Sequence, residues 1–446
     1  MNNNGSIFGT DGIRGRANEG LITPENVSKL AVSVVNYYIS INHKPTNNKF
    51  TVVIGKDTRL SGYMLEFALT SGFIAAGADV FLLGPIPTPG VAFMTKSLRA
   101  DLGVVISASH NQYQDNGIKF FNGNGFKISL RDESQISEMF HVKQNLISTE
   151  FMGKAMRLDD AAGRYIEFVK NSFPKKLNLF NMKIVVDTAN GAAYKVAPQV
   201  FWELGADIIK IGDFPNGLNI NDGCGATNPQ CLQEAVLENK ADIGIALDGD
   251  ADRLIVVDEE GEIIDGDLLI AAIALDWKNS GRLKGDNVVT TIMSNLGLEE
   301  YLNSIGLKMV RADVGDKHVI QKMLEIKSNL GGEKSGHIIP IDYSPTGDGI
   351  ISALQILAFL QKNKLKPSEI KKLYVPYPQV CKSSRKRIDM NDNDIETCIN
   401  KAKSIIGNNG RLIIRKSGTE PITRIMIEAK TQKLVSDVEK QLEDLF

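Results

Sequence analysis

Ala100-Asp-Leu-Gly-Val-Val-Ile-Ser107 and Ala241-Asp-Ile-Gly-Ile-Ala-Leu-Asp248 share one pattern. Each opens on Ala-Asp, passes through an apolar run and ends on a hydroxyl or a carboxylate. Such a run, bounded by polar loops, marks a strand buried on both faces of an α/β sheet. A weaker third copy is Ser328-Asn-Leu-Gly-Gly-Glu333. Each copy is preceded by two more apolar runs. The first runs are 51–54, 183–186 and 287–291, each followed by a turn and a helical stretch. The second are Gly77-Ala-Asp-Val-Phe-Leu-Leu-Gly84, Gly205-Ala-Asp-Ile-Ile-Lys-Ile-Gly212 and Gly306-Leu-Lys-Met-Val-Arg311.

This diverged repeat predicts three similar α/β domains with mixed, largely parallel sheets. Ligands of such sheets bind beyond the carboxyl ends of the strands. The third runs end in the polar loops 107–111, 248–253 and 333–337, so the domains are expected to present these loops to one central cleft. The last stretch differs. Residues 395–406 read as an amphipathic helix, 411–414 and 423–429 as strands, and 434–445 as a closing helix, a small α+β unit. The expected domains are 1–155, 156–257, 258–369 and 370–446.

At about 100–200 residues per domain, 446 residues allow that division. The 51 basic and 53 acidic residues give a net charge of -2, with no overall basic excess for nucleic acid or an anionic membrane. The 4 cysteines show no C-x-x-C spacing, which argues against zinc and fits a reducing compartment. The polar start lacks the apolar core of a secretion signal, and no apolar stretch is long enough to span a bilayer. A cytoplasmic protein is expected.

Asp248-Gly-Asp-Ala-Asp-Arg253 places carboxylates at i, i+2 and i+4. In an extended loop they project to one side and repel one another unless a divalent cation pairs with them; oxygen ligands suit magnesium or calcium. Arg253 stands where an EF-hand needs its turn glycine, so an EF-hand is excluded. Ser107-Ala-Ser-His-Asn111 follows the matching strand of the first repeat, and Ser109 aligns with Asp250. Serines in loops are commonly turn formers, and a Gly-x-Ser-x-Gly hydrolase elbow is missing. Lys119 follows in Asn116-Gly-Ile-Lys119; beside metal and phosphate its pKa is expected to fall, suiting a general acid or base, whereas its spacing alone fits an exposed lysine. Gly332-Glu-Lys-Ser-Gly-His337 offers Glu333, Ser335 and His337 to sugar hydroxyls. Arg415-Lys-Ser-Gly-Thr-Glu-Pro421, with Arg424, combines fixed cations, hydroxyls and a turn glycine, which suits an anion and equally a charged surface turn. Asn122-Gly-Asn-Gly125 lacks a dinucleotide fingerprint.

Together these segments resemble the α-D-phosphohexomutase superfamily over nearly the whole chain. The resemblance rests on Phe8–Gly15, Gly55–Tyr63, Gly84–Pro89, Ser107–Phe121, Asp248–Arg253, Gly332–His337 and Arg415–Pro421. Asn219-Ile-Asn-Asp-Gly-Cys-Gly225 and Met293-Ser-Asn-Leu-Gly297 point to its glucosamine branch rather than to phosphomannomutases.

The resemblance implies four domains around one cleft and an isomerase interconverting glucosamine 6-phosphate and glucosamine 1-phosphate, which supplies UDP-N-acetylglucosamine and cell-wall precursors. It implies a phosphoserine at Ser109, one Mg2+ held by Asp248, Asp250, Asp252 and a phosphoserine oxygen, and Lys119 as base or acid. It places Arg14, His110 and Arg253 near the transferring phosphate. Glu333, Ser335 and His337 would meet the sugar. Arg415, Ser417, Gly418, Thr419 and Arg424 would grip the phosphate that is not reacting. A bisphosphorylated hexose is the implied activator, a small phosphosugar the partner, and a homodimer an allowed assembly. The C-terminal domain is expected to be the mobile one. Gln112, Ala226, Asn228 and Lys317-His318 depart from the usual proline, serine, histidine and Arg-Tyr. Phosphoglucomutase or phosphomannomutase activity, a silent phosphosugar-binding protein and a phosphoserine-based phosphatase are the rival readings.

Overall fold

The protein is described by a computed structural model covering residues 6–384, 393–416 and 423–445. Three sheets repeat one core order. In each, the strand of the third run pairs in parallel with that of the first, and the first with that of the second. On its other side the third-run strand takes an antiparallel neighbour. In the first sheet the order is Asp115–Asn122, Leu102–Ile106, Thr51–Lys56, Asp79–Pro85. In the second it is Leu254–Asp258, Ile243–Leu247, Lys183–Asp187, Asp207–Ile211. In the third it is Ile338–Pro340, Leu330–Gly332, Asn287–Thr291, Lys308–Ala312. The mixed, largely parallel α/β architecture read from the repeat is therefore present.

Of the strands that sequence reasoning did not mark, Asp115–Asn122 lies inside the first sheet, between Ile13–Arg16 and Leu102–Ile106, and the others are edge pieces. Ile13–Arg16 and Ala155–Arg157 extend the first sheet at its two margins, and Ile263–Ile264 extends the second. The third copy is the short strand Leu330–Gly332, and its glycines sit against neighbours: a Cβ on Gly331 would come within 2.5 Å of the Met323 sulfur, and one on Gly332 within 2.7 Å of the His337 carbonyl.

Helix ends follow local chemistry. Thr23 caps Pro24–Ser40, its hydroxyl accepting from the Asn26 amide, with Pro24 where a missing N–H costs nothing. Its apolar side packs on Ser61–Ala75 so closely that a Cβ on Gly72 would lie 2.3 Å from the Ser28 carbonyl. Asp348 caps Gly349–Asn363 by accepting from Ile350 and Ile351 at 3.0 and 2.9 Å.

The C-terminal unit is a three-stranded antiparallel sheet in the order Gln379–Ser384, Thr423–Ala429, Gly410–Lys416, packed with helices Asn393–Ile406 and Gln432–Gln441. The closing helix begins two residues before the expected 434 because Thr431 accepts from the Leu434 amide at 3.3 Å. One apolar core runs from Val53 and Val91 through Ile184 and Ile245 to Val288 and Leu330, joining all three α/β units, whereas the C-terminal unit has a core of its own around Ile399, Ile425, Ile427 and Val435. Polar contacts tie it to the third unit: Arg411 donates to the carbonyls of Ile292 and Ser294 at 3.0 and 2.8 Å, and Leu296 N donates to Glu428 Oε1 at 3.0 Å.

Candidate active site

Ser109 sits just beyond strand Leu102–Ile106, buried, with φ 51°. A non-glycine residue in the left-handed region is a strained position that its surroundings must impose. Here they do so completely. The Ser109 amide donates to Ser107 Oγ at 2.9 Å, and Ser107 Oγ donates to Asp57 Oδ2 at 2.6 Å. The Ser109 carbonyl accepts from Arg59 Nη2 at 3.0 Å and from Asn221 Nδ2 at 2.9 Å. The same two donors hold the Asn111 carbonyl at 2.8 and 2.9 Å, and Arg59 Nη1 holds the Gln112 carbonyl at 2.7 Å. Arg59 is wholly buried and is itself fixed by Asp57 at 2.9 Å. Burial outweighs Arg59 at Asp57 and lifts its pKa above the ordinary carboxylate value.

The loop after strand Ile243–Leu247 faces this serine. Ser109 Oγ donates to Asp248 Oδ2 at 2.7 Å. Asp248, Asp250 and Asp252 are all buried, and each offers an oxygen within 4.8 Å of the others. Gly249 between them abuts the serine loop: a Cβ there would lie 2.6 Å from the Ser109 carbonyl. Burial, then Asp252 and Asp250, pushes the Asp248 pKa up to about 8. Asp250 Oδ2 accepts from Thr88 Oγ1 at 2.7 Å and Lys119 Nζ at 2.8 Å, while its Oδ1 is buried without a donor. Asp252 Oδ1 is likewise buried without a hydrogen-bond donor. Three crowded carboxylates with two such oxygens fit a divalent cation, which would neutralise that crowding. The triad is thus a site that could hold a metal ion.

Lys119 is buried among carboxylates. With the triad free of metal, burial opposes its charge, but Asp11, Asp250 and Asp252 at 3.2, 2.8 and 3.5 Å outweigh that and raise its pKa well above the ordinary value. Lys119 is therefore an ammonium, a proton donor first. His110 Nδ1 lies 3.3 Å from Ser109 Oγ; burial, then Arg253 and Arg14, lowers its pKa to about 4, so the ring is neutral. Arg14 Nη1 reaches Asn111 Oδ1 at 3.4 Å. The Arg253 amide donates to Asp248 Oδ1 at 3.1 Å.

From the third unit, Glu333 Oε1 accepts from the Gly315 amide at 3.1 Å, and the Ser335 hydroxyl lies 3.4 Å from Glu333 Oε2. His337 is buried, with Nδ1 3.4 Å from Asp252 Oδ1; burial disfavours its imidazolium, but Asp252, Asp316 and Glu333 push its pKa up to about 9. Arg415 and Arg424 stand opposite each other on paired strands. Burial, then the charge of Arg424, lowers the Arg415 pKa, and its buried Nε finds no acceptor. Ser417, Gly418 and Thr419 lie outside the described residues.

Sequence reasoning did not single out Asp11, Asp57, Arg59, Thr88, Lys127, Asn221 or Asp316. Five of them lie in stretches that carried the family resemblance: Asp11 in Phe8–Gly15, Asp57 and Arg59 in Gly55–Tyr63, Thr88 in Gly84–Pro89 and Asn221 in Asn219–Gly225. Nothing local marks them as part of a site, since key partners lie far along the chain, as with Thr88 and Asp250, 162 positions apart.

Comparison with known proteins places the chain. Family models for phosphoglucomutase/phosphomannomutase match in chain order: alpha/beta/alpha domain I over residues 5–146, domain II over 163–261, domain III over 265–377 and the C-terminal domain over 363–445. A phosphoglucosamine mutase of Parvibaculum lavamentivorans is 52% identical over 97% of this chain and 96% of its own. Those of Bradyrhizobium diazoefficiens and Zymomonas mobilis are 51% and 50% identical at the same coverage. Among solved structures, a phosphoglucomutase/phosphomannomutase family protein of Burkholderia thailandensis superposes with TM-score 0.81 at 23% identity, covering 99% of this chain and 97% of that one. Aspergillus fumigatus N-acetylphosphoglucosamine mutase, solved with GlcNAc-6P and magnesium, gives 0.62 at 19% identity over 80% of this chain and 92% of its own. With all four family domains in order and half of its residues shared over nearly its full length, the chain belongs to the phosphoglucomutase/phosphomannomutase family, among the phosphoglucosamine mutases.

Proposed function

We propose that this enzyme interconverts glucosamine 6-phosphate and glucosamine 1-phosphate by passing a phosphate to and from Ser109. The observation that carries the serine's role is the placement of its buried Oγ 2.7 Å from Asp248, opposite the three-carboxylate loop. An unmodified hydroxyl can donate to Asp248. A phosphate on the same oxygen cannot, and it adds about 1.5 to 2 negative charges beside three carboxylates, so a cation is then required. Asp248, Asp250 and Asp252 would hold Mg2+, which supplies positive charge to the transferring group.

In the first half-reaction the Oγ–P bond of phospho-Ser109 breaks as a P–O bond to the free sugar hydroxyl forms. Oγ takes up a proton and the sugar hydroxyl loses one. Lys119, charged and buried 2.8 Å from Asp250, is the proposed donor to Oγ and, once neutral, the acceptor of the sugar's proton. Arg14 and Arg253 add fixed positive charge, while neutral His110 sits beside the serine without adding any. The second half-reaction returns the other phosphate of the bisphosphate to Ser109. Glu333 and Ser335 meet the sugar hydroxyls. Arg415 and Arg424, opposed across two strands, take the phosphate that is not reacting, together with Ser417, Gly418 and Thr419. A hexose 1,6-bisphosphate restores the phosphoserine when it is lost. The product feeds UDP-N-acetylglucosamine and cell-wall precursor synthesis.

Among the described residues no helix is long and apolar enough to cross a membrane; a cytoplasmic location is part of this reading. A coupled assay with glucosamine, glucose and mannose 6-phosphates, combined with phosphopeptide mapping, tests the whole. Phosphate on Ser109, preference for glucosamine 6-phosphate and loss of turnover in Ser109→Ala are expected. Full turnover by Ser109→Ala would end the mechanism.

A further inference from the structure

Six ionisable side chains close a ring: Lys119, Asp11, Lys127, Asp316, His337 and Asp252. Lys119 Nζ lies 3.2 Å from Asp11 Oδ2, and Asp11 pairs with Lys127. Lys127 Nζ lies 2.5 Å from Asp316 Oδ2, and Asp316 lies 3.8 Å from His337 Nε2. His337 Nδ1 lies 3.4 Å from Asp252, and Asp252 Oδ2 lies 3.5 Å from Lys119. The first unit contributes Asp11, Lys119 and Lys127, the second Asp252, and the third Asp316 and His337. Within the ring, Lys127 and Asp316 are the pair that crosses from the first unit to the third away from the carboxylate triad.

We propose that Lys127 and Asp316 form a cross-unit bridge that positions Lys119 and Arg14 relative to the sugar-facing loop. The Lys127 side chain is 7% exposed and turns its single charge to two carboxylates, and one of them, Asp11, is also the partner of Lys119 and Arg14. Without Lys127, Asp11 is free to collapse onto Lys119 or Arg14 alone. The other carboxylate, Asp316, begins helix Asp316–Ile326 directly after Gly315, whose amide holds Glu333. Gly315 has φ 122°, a conformation that side chains resist, and it sets both contacts at one bend. The next residue, Lys317, pairs with Glu133 on helix Leu130–His141 of the first unit. Three consecutive residues of the third unit thus reach the sugar loop, the lysine that pairs with Asp11, and a helix of the first unit. The ordinary job of a buried ion pair is to satisfy itself; this one is shared between the proton-moving end of the site and its sugar-selecting end. Lys127 and Asp316 are positioning residues, since neither touches the transferring phosphate in the proposed reaction.

The inference rests on the role proposed for Lys119, so Lys119→Met is measured alongside. Lys127→Met and Asp316→Asn are each expected to lower kcat about 10- to 100-fold, the scale of a misplacement near 1 Å, with KM for glucosamine 6-phosphate within about threefold, since the remote phosphate grip is untouched. Lys127→Arg restores most of the loss, because a guanidinium can span the same two carboxylates. The double variant loses no more than the worse single one, as expected for one shared interaction. The bridge is overturned if Lys127→Met turns over within twofold of the unchanged enzyme, or if the two losses multiply in the double variant. Should Lys127→Met fail to fold, Asp316→Asn and Lys127→Arg decide by the same criteria. An active Lys119→Met overturns the role of Lys119 itself; an inactive Lys119→Met beside a fully active Lys127→Met removes the bridge alone.

Discussion

At the scale of single residues, Arg59 shows how much of a site can be built from a side chain that never meets substrate. Its guanidinium is wholly buried, anchored by Asp57, and spends its other donors on the carbonyls of Ser109, Asn111 and Gln112. Removing it as Arg59→Met strands Asp57, a loss of about 3–5 kcal/mol for a broken buried pair, readable as a lower urea midpoint. Arg59→Lys recovers little, because one ammonium cannot reproduce a planar fork shared by three carbonyls. Asp248 makes the opposite case. Burial, then its carboxylate neighbours, lifts its pKa to about 8, so it disfavours the metal-free fold. Asp248→Asn mimics its protonated form and is expected to raise the unfolding midpoint without metal. With Mg2+ held as proposed, the same substitution is expected to erase the stabilisation by the ion, about 2.7 kcal/mol at a hundredfold excess over Kd. Thermal unfolding with and without Mg2+ checks both signs. The Asp triad and Ser109 were legible because they sit at the ends of repeated strands. Arg59 and Asn221 were not, because their partners are backbone carbonyls, and carbonyls carry no sequence signature.

At the scale of elements, Asp348 joins two parts of the core. Oδ1 caps helix Gly349–Asn363, and Oδ2 accepts from the Tyr165 hydroxyl at 2.7 Å. Burial pushes its pKa up to about 6 despite those bonds. A carboxyl whose folded pKa is raised favours the fold below its unfolded value near 3.8, and that contribution is lost as pH rises through about 6. Asp348→Asn keeps both contacts, since its oxygen can cap and its amide can donate to the tyrosine oxygen. Its stability relative to the unchanged protein should therefore climb between pH 4 and 6 and level off above. Denaturant unfolding at several pH values reads this directly; a flat difference would contradict the assigned shift. The long central strands and amphipathic helices were plain in the sequence, for their periodicity is local. The edge strands Ile13–Arg16 and Gln379–Ser384 were not, because an edge strand takes its conformation from a neighbour that the sequence does not identify.

At the scale of the whole molecule, apolar burial binds the first three units into one body, and the fourth keeps a separate core and docks through polar contacts. Polar docking is cheaper to rearrange than a shared apolar core. The C-terminal unit is therefore the one expected to move, and small-angle scattering should show a smaller radius of gyration when hexose bisphosphate is added. Unchanged scattering would count against it.

The clasp on the serine loop decides which partner must travel. With the Ser109 carbonyl gripped by Arg59 and Asn221 and pressed by Gly249, only the serine side chain is left to turn. Two different oxygens of the sugar must then take turns at one stationary point, so the intermediate has to let go, flip and settle again while still enclosed. Each flip races against escape. The ratio of those two rates sets how many catalytic cycles a molecule completes before it is stranded without its phosphate, which makes processivity a property of the cleft's retention rather than of the chemical step.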